Sequence, residues 1–224
     1  MIVVIDYGMG NLHSVRKALE VAGARAKASS DPRDIEMAEK LVFPGVGSFG
    51  EAMKELKRRK LVEPIKSSIA KGKPFLGLCL GLQLLFEKSE EALGVKGLCV
   101  LRGEVKRFRQ SSIVPPSPMF RRAGIRQSEE KLKIPHMGWN TIERMTNDER
   151  RMTRILQGVP SGSYMYFVHS YYVKPRDKDV VLTTTDYGIN FVSGVCKGNV
   201  YALQFHPEKS QELGLRILRN FVKL

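Results

Sequence analysis

The sequence around Cys79 constrains the fold of this chain more than any other feature. The apolar run Phe75–Leu78 predicts a buried strand, and Leu80–Gln83 predicts the start of a helix, so the backbone must turn sharply at the cysteine between them. Gly77 and Gly81 flank this position and tolerate the crowded backbone of such a turn. The pattern indicates a nucleophile elbow, in which the sulfur lies at a helix N-terminus that favours the thiolate.

A histidine and a carboxylate far downstream complete a candidate triad. His206-Pro-Glu208 follows the apolar run Val200–Phe205, which predicts another strand. Residues two apart on an extended chain point the same way, and Pro207 favours an extended His206. Glu208 would then orient one ring nitrogen of His206, and the other would face Cys79 as a general base. A buried, inert Cys79 is the alternative, since cysteine usually packs as a small hydrophobe, but the flanking glycines and His-Pro-Glu favour the nucleophile.

The remaining cysteines and the apolar stretches bear on the cellular compartment. Cys99 and Cys196 lie in apolar, strand-like runs without elbow glycines, and we expect both in the core. Three cysteines in 224 residues predict a reducing environment. The start of the chain, Met1–Asp6, does not resemble a signal peptide, and Pro74–Phe86 is too short and glycine-rich to span a bilayer. We therefore expect a cytoplasmic protein without membrane contact.

Strands alternate with helices along the chain. With 42% apolar residues, 224 residues can bury one sizeable core, and we expect a single domain over 1–224. The alternation predicts an α/β fold, an open mixed, mostly parallel sheet covered by helices on both faces, with antiparallel strands in the second half. Further predicted strands are Ile2–Ile5, Ala24–Ala28, Leu41–Phe43, Leu98–Leu101, Tyr164–Val168, Val180–Thr185 and Phe191–Cys196. Helices are predicted after Asn11, around Phe49–Leu56, at Leu61–Ala70 and around Leu213–Phe221.

These residues resemble a known family. Gly77–Gln83 and His206–Glu208 are similar to the triad-type class I glutamine amidotransferases. Asp6–Ser14, Pro44–Met53 and Pro135–Asn140 together resemble the glutaminase subunits of imidazole glycerol phosphate synthase, over nearly the whole chain. The resemblance implies the class I fold and hydrolysis of glutamine to glutamate and ammonia through a cysteine thioester. It also implies a heterodimer with a cyclase subunit, which uses the ammonia to make imidazole glycerol phosphate and aminoimidazole carboxamide ribotide in histidine biosynthesis.

The resemblance also assigns roles around the triad. Acyl transfer needs two amide donors for the developing oxyanion, and these would come from Val46 and Leu80. Residues expected to hold glutamine are Gly47, Gln83, Glu91, Ser170 and Tyr171. Residues expected at the partner interface are Asn11, Trp139 and Lys209. Simpler interpretations stay open, namely a helix cap for Asn11, a solvated side chain for Glu91 and a tight turn for Pro44–Gly47.

We expect neither a metal nor an organic cofactor. The other histidines have no metal-ligand spacing, and His136 and His169 are expected to support loops.

Pro135–Asn140 has no helical or alternating periodicity, so it is predicted as a loop that carries Trp139 on the surface. The bisphosphate substrate of the resembled enzyme belongs to the cyclase, so this chain should bind no phosphate of its own.

The formal charge of +14 raises the question of nucleic acid. Eight basic and two acidic residues lie between Lys106 and Lys133, where the chain departs from the family by a basic, proline-containing insertion loop at about 109–133. Aromatic interleaving typical of a single-strand binder is missing, since only Phe108 and Phe120 occur there. We therefore expect no nucleic acid, and thermophilic surface chemistry or an acidic partner surface stay open as explanations.

Two other functions remain. The first is a glutaminase that serves a different acceptor, as in the pyridoxal phosphate or anthranilate pathways, and Pro135–Asn140 argues against it. The second is a catalytically idle binding module or basic nucleic-acid protein, and the intact set of Cys79, His206 and Glu208 argues against that.

Overall fold

A computed structural model of the chain describes residues 1–109, 132–145 and 154–224. Most of the predicted insertion at about 109–133 therefore lies outside the described residues. The helices are α1 (Leu12–Val21), α2 (Pro32–Met37), α3 (Phe49–Arg58), α4 (Val62–Ala70), α5 (Leu80–Gln83) and α6 (Gln211–Val222), and Pro207–Lys209 forms a short 3-10 helix. The strands are β1 (Ile2–Ile5), β2 (Ala26–Ser29), β3 (Lys40–Phe43), β4 (Phe75–Leu78), β5 (Lys88–Ser89), β6 (Ala92–Lys96), β7 (Gly103–Arg107), β8 (His136–Arg144), β9 (Ser163–His169), β10 (Tyr171–Pro175), β11 (Val181–Asp186), β12 (Asn190–Lys197) and β13 (Val200–Leu203).

The strands form one open, mixed sheet. Its parallel centre has the order β2-β1-β3-β4-β13, and an antiparallel region continues through β12, β10 and β7. A second antiparallel branch runs from β12 through β11 and β8 to β9. The predicted fold class, including antiparallel pairing in the second half, is confirmed.

Helices cover both faces of the parallel centre. Side chains alternate along β1, so Val3 and Ile5 enter one core and Ile2 and Val4 enter the other. The first core packs under α2, α3 and α4, and the second packs under α1 and α6. Strands that are buried on both faces are continuously apolar, which is why the sequence identified them.

The prediction of a strand at Leu98–Leu101 was wrong, and so was the prediction that Cys99 lies in the core. Leu98–Leu101 is a turn over the end of α5, where the Leu98 N–H donates to the Leu84 carbonyl at 2.8 Å and the Val100 N–H donates to the Leu85 carbonyl at 2.9 Å. Leu98 and Leu101 are buried, but Cys99 between them has a φ of +55° and is exposed. An apolar run produced by a turn anchored on a helix has the same composition as a short strand. Cys196 is buried, as predicted.

The predicted loop at Pro135–Asn140 was also wrong, because His136–Arg144 is the nine-residue strand β8. It pairs with β9 in antiparallel register from His136 opposite His169 to Ile142 opposite Ser163. Its inner face contains polar side chains, so the expected apolar alternation is absent. Trp139 is nevertheless 47% exposed and lies outside the core.

Glycines allow two backbone segments, 43–45 and 78–81, to meet at the turn after β4. A Cβ on Gly81 would lie 2.4 Å from the Phe43 carbonyl oxygen, and one on Gly45 would lie 2.4 Å from the Leu80 nitrogen. Backbone atoms cannot rotate away as a flexible side chain can. These glycines are therefore required by close approach, and neither has a positive φ.

Gly81→Ala should lower the free energy of unfolding by about 1–3 kcal/mol, because the new methyl overpacks against the β3 backbone. Gly50→Ala in α3 is the control, since its methyl would meet only the Ala92 Cβ, at 3.2 Å. Urea denaturation of both variants checks this. Equal stability of Gly81→Ala and the parent chain would show that the two segments are not tightly packed.

Candidate active site

Cys79 lies at the predicted strand-to-helix turn, between the end of β4 and the start of α5. Its φ of +50° and ψ of −105° fall in a region that non-glycine residues seldom adopt, at a cost of about 1–3 kcal/mol. Its backbone N–H donates to the Leu203 carbonyl at 2.7 Å, which ties the turn to the end of β13. The strain therefore lies on the cysteine itself, and the surrounding contacts hold it in place.

His206 and Glu208 follow β13, the parallel neighbour of β4. His206 Nδ1 donates to Glu208 Oε1 at 2.8 Å, and the two side chains are only 3% and 2% exposed. His206 is extended, as predicted, but Glu208 belongs to the 3-10 helix Pro207–Lys209 and not to an extended segment. The predicted contact is made by different backbone geometry, because the chain turns directly after His206.

The second ring nitrogen of His206 faces the sulfur. Nε2 is buried and makes no hydrogen bond of good geometry with any described residue, although it lies close to Cys79. Burial by itself would lower the pKa of His206, but the charge on the Cys79 sulfur and the Glu208 carboxylate together raise it to about 10. A ring that keeps its proton beside the sulfur can accept a proton from Cys79 and return it, as a general base and acid does.

A cavity of about 340 Å³ opens above the sulfur. This volume falls in the range of small-molecule sites. The residues that line it are Gly45, Val46, Gly47, Cys79, Leu80, Gln83, Glu91, Pro135, Val168, His169, Ser170, Tyr171 and His206. The structure thus brings together the expected oxyanion and glutamine-binding residues. Sequence reasoning missed Val168 and His169, because the position of the end of β9 beside Cys79 becomes visible only after the strands pair.

The segment Pro44–Gly47 is held against the elbow by a buried tyrosine. The Tyr7 hydroxyl lies 3.3 Å from the Pro44 carbonyl and 3.1 Å from the Val46 carbonyl, and burial raises the pKa of Tyr7 far above its ordinary value. Gly47 has a φ of +109°. The Leu80 N–H, the first of α5, has no acceptor within the helix. Val46 and Leu80 both border the cavity, where two amide donors can receive a developing negative charge.

Glu91 and Asn11, for which simpler interpretations were open, each cap a helix. Glu91 is not simply solvated, because its Oε2 accepts from the Phe49 N–H at 2.7 Å and caps α3, where Ser48 provides no side-chain cap. Asn11 caps α1 by accepting from the Ser14 N–H at 3.2 Å, and it is exposed. Capping therefore accounts for Asn11 without a partner, whereas Glu91 also lines the cavity.

An aromatic patch covers the outer face of β8 and β9. The Trp139 ring meets the Tyr166 ring edge-on at 6.1 Å, and Lys209 Nζ lies 5.7 Å from the Tyr166 ring centre. We call these three residues the outer patch. Met137 and Tyr164 nearby are 64% and 61% exposed. The structure thus brings Trp139 and Lys209 together on one surface.

Two histidines pair on the inner face of the same strands. His136 Nδ1 lies 2.9 Å from His169 Nε2, and His169 Nδ1 lies 2.8 Å from the Tyr171 carbonyl. Burial lowers the pKa of His136 to about 4 and that of His169 to about 3, where the neighbouring His136 adds to the effect. The expectation that they support loops was wrong, since both lie in paired strands and stay neutral in the fold.

A buried glutamine also escaped sequence reasoning. Gln204 is 0% exposed, and its Nε2 lies 3.6 Å from Cys79 Sγ. The available signal was an amide side chain within an otherwise apolar predicted strand, two residues before His206.

The described residues contain no helix long and apolar enough to cross a membrane. Within the same part of the chain, no three His, Cys, Asp or Glu side chains are grouped so that they could hold a metal ion.

Comparisons with known proteins agree with the fold. The family profile described as Glutamine amidotransferase class-I matches residues 3–224. The imidazole glycerol phosphate synthase subunit HisH of Syntrophotalea carbinolica is 50% identical over 99% of this chain and 98% of its own length. The subunit of the same name from Aquifex aeolicus is 51% identical over 98% of this chain and 94% of its own length. PurLQS from Thermotoga maritima shares the fold, with a TM-score of 0.69 at 19% identity over 99% of this chain and 97% of that one.

His169→Gln should weaken the pH dependence of stability. The pKa of His169 is lower in the folded chain than in the unfolded chain, so below about pH 6.5 the unfolded chain binds a proton that the folded chain does not. Stability is therefore lost as pH falls from about 6.5 toward 3. Between pH 7 and pH 5, His169 should account for about 2 kcal/mol of that loss. Urea denaturation at both pH values checks this against His13→Gln, at an exposed position of α1. An unchanged difference would mean that His169 is not buried in neutral form.

Proposed function

We propose that this chain hydrolyses glutamine and supplies the ammonia to a cyclase subunit. The chain belongs to the class I glutamine amidotransferases and, within them, to the HisH subunits of imidazole glycerol phosphate synthase. The observation that carries the proposal is the buried set of Cys79, His206 and Glu208, of which Cys79 and His206 line the cavity. The relatives' shared name supports histidine biosynthesis in particular, with imidazole glycerol phosphate and aminoimidazole carboxamide ribotide as products of the complex.

Each triad residue has one task. The Cys79 sulfur attacks the carboxamide carbon of glutamine, and His206 Nε2 passes a proton to the departing ammonia. Glu208 holds Nδ1 and so keeps Nε2 directed at the sulfur, which the 2.8 Å contact supports. Water then attacks the thioester, His206 accepts its proton, and glutamate leaves as the sulfur is released.

The oxyanion of each tetrahedral intermediate is stabilised by the amides of Val46 and Leu80. Two observations support this role. Val46 and Leu80 both lie on the cavity wall, and the Leu80 N–H has no acceptor within its helix. Because the Tyr7 hydroxyl binds the carbonyls on either side of Gly45, it keeps the Val46 segment beside the elbow.

Glutamine is held at both ends in this proposal. Glu91 lies on the cavity wall and faces the α-ammonium, while Gln83, Gly47 and the backbone of Ser170 and Tyr171 contact the rest of the substrate. Gln83 uses its Nε2 within the protein, so its Oε1 is the atom that can accept a hydrogen bond from substrate.

The cyclase subunit binds the outer patch. Trp139 and Lys209 lie there, and Asn11 lies at the start of α1, which contacts the 3-10 helix that carries Lys209. Exposed aromatic residues are typical anchors of protein interfaces. We further propose that the chain forms one amidotransferase domain over 1–224, with the basic insertion at about 109–133, and that it acts in the cytoplasm.

Cys79→Ala should reduce glutamine hydrolysis by at least about 1,000-fold, because the nucleophile is lost. The complex with the cyclase should still make product from free ammonia, since the cyclase supplies the other chemistry. Cys99→Ala, at an exposed thiol outside the cavity, is the matched control and should keep full activity. Release of glutamate from glutamine by Cys79→Ala would contradict the triad.

Trp139→Ala should weaken cyclase binding by about 2 kcal/mol or more. Its effect on the free energy of unfolding of the isolated chain should stay below about 1 kcal/mol, because the side chain is 47% exposed. Calorimetric titration and urea denaturation measure the two quantities, and Met37→Ala, at an 83% exposed position on α2, is the control. Loss of stability with intact cyclase affinity would assign Trp139 to the fold and not to the interface.

A further inference from the structure

Three groups surround the reactive sulfur of Cys79, and they respond differently when its proton leaves. The thiol donates to the Val168 carbonyl at 3.7 Å, and the Gln204 amide donates to the sulfur at 3.6 Å. His206 is the third group close to the sulfur. When the proton moves to His206, the bond to Val168 is lost and that carbonyl oxygen faces a negative charge. Gln204, by contrast, becomes a donor to an anion, and such bonds are stronger than neutral ones.

The orientation of the Gln204 amide follows from one backbone carbonyl. The Tyr171 oxygen can only accept, so the nitrogen of Gln83 must face it, at 3.1 Å. The second hydrogen of that nitrogen is directed at Gln204 Oε1, at 3.2 Å. With its oxygen engaged by Gln83, Gln204 can present only its Nε2 to Cys79.

The same carbonyl determines the state of the histidine pair. His169 must donate to Tyr171 through Nδ1, so its Nε2 accepts from His136 Nδ1 at 2.9 Å. His136 Nε2 then accepts from the Asn140 amide at 3.2 Å. Asn140 donates its other hydrogen to the Asp186 carbonyl at 2.8 Å. In this chain of hydrogen bonds, from the Tyr171 carbonyl to the Asp186 carbonyl, each hydrogen is shared by one donor and one acceptor. A flipped Asn140 amide or a charged histidine would leave two donors facing each other.

We propose that Gln204 is a further catalytic residue, whose amide N–H stabilises the Cys79 thiolate and is held in that orientation by Gln83 and the Tyr171 carbonyl. This rests on the proposed glutaminase function. Gln204 is fully buried and does not line the cavity, so it touches the reacting sulfur without touching glutamine. It therefore contributes to the chemical step and not to substrate binding.

Two variants separate the hydrogen bond from the volume it fills. Gln204→Glu keeps the shape and the acceptor for Gln83 but places an oxygen against the sulfur. Gln204→Met keeps the length and removes both polar atoms. Ser193→Ala is the matched control, because Ser193 is equally buried, pairs with Thr183 at 3.0 Å and accepts from the Gln204 backbone at 2.8 Å, but does not touch the sulfur.

Glutamine hydrolysis by the complex with the cyclase is the first measurement. Both Gln204 variants should lower kcat by about 10-fold to 100-fold, the range for one charge-assisted hydrogen bond, and change KM less than about twofold. Ammonia-dependent synthesis and the Ser193→Ala variant should be unaffected. Unchanged kcat, a loss confined to KM, or an equal loss in Ser193→Ala would overturn the proposal. If Gln204→Met does not fold, Gln204→Glu decides.

Alkylation by iodoacetamide is the second measurement, and it requires no glutamine chemistry. In the full-length chain the rate at Cys79 should fall by about 10-fold to 100-fold in both variants, while exposed Cys99 in the same molecule reacts at its original rate. Equal rates at Cys79 in the parent and variant chains would refute the role of Gln204. A parent chain that does not hydrolyse glutamine but shows the alkylation difference would refute only the glutaminase function.

Discussion

The parallel pairing of β4 with β13 is the constraint on which the reactive geometry depends. Leu78 stands opposite Leu203, so both strands end at the same edge of the sheet. Cys79 follows one strand by one residue and His206 follows the other by three, although more than 120 residues separate them in the sequence. A slip of one residue in this register would turn one of the two side chains to the opposite face. The site therefore exists only while the sheet keeps its register.

Close backbone packing keeps the strained elbow in place. Cys79 adopts a positive φ, and such strain persists only where the surroundings determine the conformation completely. Here Gly81 lies against the β3 backbone and Gly45 lies against the elbow itself, both at distances that exclude a side chain. Tyr7 adds a buried hydroxyl between two carbonyls of the Gly45 segment. The sulfur is thus positioned by rigid backbone and not by a mobile loop.

The β8 and β9 strands connect the outer surface with the nucleophile. Their outer face presents Trp139 and Tyr166, and their inner face contains the pair of neutral histidines. β9 also contributes the Val168 carbonyl that accepts from the Cys79 thiol. A partner that contacts the outer patch therefore presses on strands that bear directly on the reactive sulfur. Backbone pairing with β9 from His136 to Ile142 explains why a segment without apolar alternation is nevertheless a strand.

The sequence by itself determined the parallel strands, the elbow at Cys79 and the contact of His206 with Glu208, because periodicity, turn chemistry and short motifs depend on residues that are neighbours in the chain. It misjudged Leu98–Leu101 and Pro135–Asn140, since a turn over a helix and a strand with a polar inner face leave no local pattern. Tyr7 and Gln204 were missed because their partners come from other elements. Hydrogen bonds and close contacts between distant segments are set by strand order and register. Only the tertiary structure could therefore decide which buried polar groups surround the sulfur.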